Sequence, residues 1–348
     1  MGNNNTLAEI RARLAAAEQQ NNNNNFENNT FPFWNMKSGS QSVVRFLPDL
    51  NSSNPFFWVL KYQIKLPFNG IKNGDTKLIF VNVPCCDKSR DKDGNTRTPF
   101  KDEEPNDFAQ GCPILNEVRG WYKEKDATST ELANKYWKKP TYILQGFVRE
   151  NGVPDDKAPE NPIRKFNLNK QLFNLVKAGL LDKDMENIPS DYKNGTDFKI
   201  LSTTIGQYAD YGTSSYSRKE SALTQAELDA IEKYGLVDLS DYLGKKPTPE
   251  DMEIIKEMFE ASVNGEPYDV ERWGKYYRPG NLKINGEPVN NSSNNESSQP
   301  TTATTETPYV AKATVPVPVT QETPTAGKTK ANDILEMIRA KRAAASSN

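Results

Sequence analysis

Basic and aromatic side chains are interleaved in three places along this 348-residue chain. Lys135, Tyr136, Trp137, Lys138, Lys139 and Tyr142 fall within eight residues. Arg164, Lys165, Phe166 and Lys170 form a second cluster, with Lys177 beyond it. The third group, Tyr208, Tyr211, Tyr216, Arg218 and Lys219, sits in the Gly/Ser/Thr-rich passage IGQYADYGTSSYSRK. No acidic residue interrupts 135–149 or 161–177. Cations of this kind track phosphates while flat rings stack on unpaired bases, each stacked base being worth about 1–3 kcal/mol. Because every base has a π-face, such a surface tolerates any sequence. The competing reading puts the rings in a core and the lysines on a solvated face.

Other chemistries fit less well. The chain has no histidine, which removes Ser-His-Asp triads, Cys-His pairs, His-ligated metals and His general bases. Cys85 and Cys86 are adjacent and Cys112 lies in GCPIL, with Leu115 where a C-x-x-C pair would place its second thiolate. Ordinary reduced cysteines are expected, and the odd number suits a reducing compartment. Asp91, Asp93 and Asn95 match the first three ligands of an EF-hand loop, but Thr96 replaces the turn glycine and Asp102 the bidentate glutamate. Ala326-Gly327-Lys328-Thr329 ends like a phosphate loop, yet Glu322 replaces the first glycine and a Pro/Thr-rich stretch replaces the strand. A nuclease would need clustered carboxylates for magnesium. The acids at 102–107 lie in a segment without strand support, so no catalytic activity is expected.

The elements that must carry these groups read as strands first. SVVRFLP (42–48), PFFWVLKYQIKLPF (55–68), KLIFVNVP (77–84), TYILQGFVRE (141–150), RKFNLN (164–169) and FKILSTTIGQY (198–208) are β-branched or aromatic runs bounded by turn residues. The first basic cluster, from Lys135 on, is assigned to a strand as well. KQLFNLVKAG (170–179) has helical spacing with Gly179 as its C-cap, Thr224 and Glu227 make a capping box, and Thr248-Pro249 starts a further helix. The segment 87–111 reads as a long loop. About six strands with inserted helices predict an α+β fold built on a small barrel.

Composition divides the chain further. The charge is -2, from 44 Lys+Arg against 46 Asp+Glu, so any basic surface is local. Hydrophobic residues make up 35%, low enough to expect unpacked segments. Residues 1–30 are a short helical pattern plus an Asn-rich tract, 31–285 hold nearly all core-forming residues, 286–330 read as a Thr/Pro/Asn/Ser tether, and 331–348 are helical again. The two ends resemble each other: Ile10-Arg11-Ala12-Arg13 and Ile338-Arg339-Ala340-Lys341 each follow a capping box. Both are expected to order on a partner. With no apolar run near 18 residues and no signal-peptide pattern, the protein is expected to be soluble and cytoplasmic.

GSQSVVRFLP, Cys112-Pro113, KKPTYILQGFV, KAPENPIRKFNLNKQLFNLV and IGQYADY occur in that order. Together they resemble the helix-destabilising, single-stranded DNA-binding proteins of T-even-type bacteriophages, over roughly 35–265. The resemblance implies an OB-fold core with an inserted subdomain that binds single strands cooperatively during phage DNA replication, recombination and repair, in the host cytoplasm. It also implies contacts with replication or recombination proteins. By the same likeness the DNA contacts are Arg45, Lys138, Lys139, Tyr142, Arg164, Lys165, Phe166, Tyr208 and Tyr211, to which the basic and aromatic clusters add Lys170 and Tyr216. Arg11 and Arg13 stand where the family contacts a neighbouring subunit.

Two departures matter. The family's zinc site uses one His and three Cys, of which only Cys86 and Cys112 have matches, so no cofactor is expected. The family's acidic tail is replaced by Asp333 and Glu336 against Arg339, Lys341 and Arg342. The tail is therefore expected to compete with the similar N-terminal helix for one docking surface, so that deleting 331–348 changes cooperativity more than single-site affinity. The alternative function is an interaction scaffold whose terminal helices hold partners together without binding nucleic acid.

Overall fold

Alternating apolar residues build the strands, and capped amphipathic segments build the helices. The computed structural model describes residues 29–87, 89–90, 96–97, 100–101, 111–154 and 156–279. Arg11, Arg13, the tether 286–330, the helical pattern at 331–348 and the EF-hand-like Asp91, Asp93, Asn95 and Asp102 lie outside them.

The strands are β1 (Gln41–Phe46), β2 (Val59–Phe68), β3 (Ile79–Pro84), β4 (Ser89–Arg90), β5 (Thr96–Arg97), β6 (Lys139–Glu150), β7 (Arg164–Leu168), β8 (Thr196–Leu201), β9 (Thr203–Ile205), β10 (Tyr208–Asp210) and β11 (Ser215–Glu220). The helices are α1 (Pro113–Lys123), α2 (Ala127–Tyr136), α3 (Lys170–Leu180), α4 (Gln225–Tyr234), α5 (Pro249–Val263) and the single turn α6 (Val270–Trp273). Seven strands form an antiparallel sheet in the order β11-β8-β1-β6-β2-β3, with β7 also paired to β6. The molecule is thus α+β. Among the described residues no pairing joins the ends of this sheet, which stays open.

The long β6 is the spine. Ile143 pairs with Val59 on one side and Asn167 on the other, and Gly146 pairs with Phe46 and Arg164. So β2 and β1 follow one another along one side of β6, and β7 takes the opposite side. Period-2 alternation then sorts each strand's residues between two faces. Leu144, Phe166, Leu168, Phe46 and Phe198 meet α3 in one core. Ile143, Phe147 and Ile163 point the other way, into a core with Leu223, Ala230 and Leu239. Beyond β6, Ile64, Leu66, Val81 and Val83 pack with α1, α2 and α5 as a third core. The basic clusters lie where these cores meet.

Local chemistry explains the helix starts. Thr224 with Glu227 and Thr248 with Asp251 make reciprocal capping boxes, and Pro249 occupies the first helical turn. Asn169 caps α3 by accepting from the Leu172 amide. Gly179 is interior to α3, not its C-cap as the sequence suggested. A Cβ there would lie 2.4 Å from the Tyr216 ring, so the glycine makes room for a neighbour.

Three further expectations are corrected. Lys135 and Tyr136 end helix α2 and do not begin a strand, because Leu132, Ala133 and Tyr136 supply a buried helical stripe. The run 198–208 is broken: β8 ends at Leu201, and Gly206, with φ of 64°, turns β9 back into β10. Within 87–111, β4 and β5 pair as a two-residue ladder instead of forming a plain loop. No helix of the described residues is long and apolar enough to cross a membrane.

Candidate nucleic-acid interface

Consecutive residues of a strand point to opposite faces, and β6 begins with two lysines. Lys138, just before the strand, and Lys139 therefore serve different surfaces.

On one face Lys139 faces Gln63 across the ladder, Thr141 faces Lys61, Asn82 faces Lys65, and Lys165 of β7 faces Gln145. Pairs directly opposite stand about 5 Å apart and diagonal ones about 7–8 Å. Lys61, Lys65, Lys139 and Lys165 consequently share one side of three strands. Rings close the row at both ends: the Lys65 ammonium lies 4.0 Å from the centroid of the exposed Phe80, and that of Lys165 lies 4.7 Å from Tyr242. Burial holds Lys65 below the ordinary lysine pKa, and the Lys139 charge lowers it further. Lys139 is lowered by burial as well. Two half-buried cations kept within mutual repulsion cost stability, an arrangement that an incoming anion relieves.

On the opposite face Tyr142 stacks on Phe173 of α3, with ring centroids 3.5 Å apart and planes 5° apart. Burial raises the Tyr142 hydroxyl pKa, and neighbouring Tyr62 adds to this. Trp58 meets Phe173 edge-on at 5.2 Å, and Phe56 lies 4.6 Å from Trp58. Lys138 completes this run, its ammonium 4.4 Å from the Tyr62 ring. Phe56, Trp58, Tyr62 and Tyr142 are each partly open to solvent.

The loop carrying Tyr208 is braced to the start of α3. The Asp210 carboxylate accepts from Gln171 Nε2 at 2.5 Å, and Gln171 Oε1 accepts from the Tyr211 amide at 3.3 Å. Tyr208 is half exposed opposite the exposed Ile205. Lys170 is exposed on the first turn of the same helix.

The structure removes several sequence-derived contacts from any exposed surface. Arg45 is fully buried, its guanidinium donating to the Asp191 carbonyl at 2.5 Å and lying 3.5 Å from the Asp197 carboxylate. Arg164 is buried and paired with Asp156 at 3.0 Å, where it also holds the Asn29 and Thr30 carbonyls. The Phe166 ring is packed edge-on against Phe31 and Phe46 and has no face left for a base. Tyr211 is buried against Phe33 and its hydroxyl pKa is pushed up to about 12 by burial. The Tyr216 ring fills the space over Gly179, and its hydroxyl is buried. These residues hold the site's framework. Lys138, Lys139, Tyr142, Lys165, Lys170 and Tyr208 remain at the surface or half-buried.

Sequence reasoning passed over Lys61, Lys65, Tyr62, Phe56, Trp58 and Phe80. Their signal was present: PFFWVLKYQIKLPF mixes rings and lysines as densely as the clusters that were singled out, with the lysines at 61 and 65 on the face opposite Tyr62.

The cysteines do not fit the zinc site of the resembled family. Cys85 and Cys112 are hydrogen-bonded to each other, which raises the former's pKa and lowers the latter's. The Cys86 thiol donates to the Met252 sulfur at 3.4 Å, and Leu115 is core. Among the described residues no group of three or more His, Cys, Asp or Glu side chains could hold a metal ion. No protein-family profile matches this chain, and no curated protein matches it.

Proposed function

We propose that this chain is a sequence-tolerant single-stranded DNA-binding protein without catalytic activity, acting cooperatively in phage DNA replication, recombination and repair. The observation that carries the proposal is the lysine row on β2, β6 and β7, in which Lys65 and Lys139 repel one another while half-buried. Phosphates along a strand supply the charge that relieves this repulsion, and the rings of Tyr62, Tyr142, Trp58 and Phe80 supply stacking surfaces. The coiled sheet with β6 as its spine, and the helical unit inserted between β3 and β6, support an OB-type core. The ordered motifs from GSQSVVRFLP to IGQYADY support the phage setting.

The test is a salt-dependent titration with oligo-dT. A Lys65→Gln, Lys139→Gln double variant should bind more weakly at low salt, with the slope of log K against log salt flattened by about 1.4, two phosphates at about 0.7 each. An unchanged slope would remove the lysine row from the interface.

A further inference from the structure

Asp87 sits immediately after the cysteine pair that follows β3, and both of its carboxylate oxygens are engaged by cations from elsewhere. Oδ1 accepts from Arg119 of α1 at 2.6 Å, and Oδ2 accepts from Lys138 at 2.5 Å. Lys138 in turn lies over the Tyr62 ring. One carboxylate thus bridges an ammonium and a guanidinium beside an aromatic face. A phosphate diester of a nucleic-acid strand presents the same anion to the same two donors while its base stacks alongside. The Arg119 side chain is 41% exposed, so the bridge is reachable from solvent. Burial raises the Asp87 pKa, but the hydrogen bonds from Lys138 and Arg119 outweigh this and hold it below the ordinary carboxylate value, so the bridge is charged near neutrality.

We infer that Asp87 is a built-in phosphate mimic, an autoinhibitory contact that occupies a backbone-phosphate site between Lys138 and Arg119 beside Tyr62. Nucleic acid displaces the carboxylate from these two cations as it binds, so part of the binding energy goes into breaking the internal bridge. The inference rests on the DNA-binding reading and deepens it, because it assigns one phosphate position and a brake upon it. Asp87 weakens binding although it lies in the site. A residue that only shaped the fold would weaken binding when removed.

Asp87→Asn keeps the side chain's size and removes its charge. It should bind oligo-dT about three- to ten-fold more tightly at low salt, with a slope steeper by about 0.7–1.4 as one or both freed cations meet phosphate. Adding Lys138→Gln and Arg119→Gln to Asp87→Asn should abolish the gain. Thermal melting with inorganic phosphate gives an independent readout that needs no DNA: phosphate should raise the melting temperature of Asp87→Asn more than that of the wild type. Wild type that fails to bind oligo-dT overturns the functional reading itself. Wild type that binds, with a folded Asp87→Asn that binds equally or more weakly, overturns only the brake. Should Asp87→Asn not fold, Arg119→Gln, Lys138→Gln in the wild-type background decides: the brake predicts affinity nearly unchanged, because those cations were already neutralised, and a loss beyond three-fold contradicts it.

Discussion

Tyr142 and Glu227 show how residue type and environment separate a binding group from a structural one. One face of the Tyr142 ring is covered by Phe173, while the side chain stays partly open to solvent. Replacing it with alanine should weaken oligo-dT binding by about 1–3 kcal/mol, and Tyr142→Phe should bind like wild type, because the ring and not the hydroxyl stacks. Isothermal titration distinguishes the two, and near-UV circular dichroism checks that the ring's removal leaves the core intact. Glu227 belongs to the framework. It accepts from both Arg149 Nε and an Arg149 terminal nitrogen, and Arg149 also holds Asp197, the partner of Arg45. Burial pushes the Glu227 pKa up, but these bonds and the Thr224 amide hold it below the ordinary glutamate value. A carboxyl whose folded pKa is depressed stabilises the fold above its unfolded pKa, near 4, and loses that contribution as pH falls through the folded value. The melting temperature of wild type should therefore exceed that of Glu227→Gln near neutrality, with the gap closing below about pH 4. A gap that persists at pH 3 would show that the charge is not the cause.

Elements were legible where local rules and tertiary packing agreed. The strands 42–48, 77–84, 141–150 and 164–169 and the starts of α4 and α5 stand close to where alternation and capping place them. Helix α2 did not announce itself: ATSTELANKY has low helix propensity, and its Asp126 cap lacks the partner glutamate of a capping box. Packing of Leu132, Ala133 and Tyr136 decides it. The same limit applied to the site. Arg45, Arg164 and Phe166 have the right types in the right runs, yet only burial reveals that they face inward. Gly179 is the reverse case, since its sequence signal suggested a helix end and its real constraint is a ring contributed from β11. Alanine at 179 should favour helix α3 intrinsically by up to about 1 kcal/mol, but the collision with Tyr216 should dominate and destabilise the protein by about 1–3 kcal/mol. Chemical denaturation measures the balance, and a stabilised variant would show that the Tyr216 ring has room to move.

Across the whole molecule, a chain with net charge of -2 presents a strip of lysines on one face of its central sheet and a run of rings on the other. Cation displacement from DNA must then arise from that strip and not from the overall charge. Three cores meet around β2 and β6, so the strip stands on the most heavily supported strands, while the exposed Tyr208 hairpin is tied to α3. The most direct measurement is intrinsic Trp/Tyr fluorescence during titration with oligo-dT at several salt concentrations, beside a duplex of equal length. Stacking predicts quenching by the single strand that weakens steeply as salt rises, and little response to the duplex. Emission that stays unchanged at low salt would contradict the account.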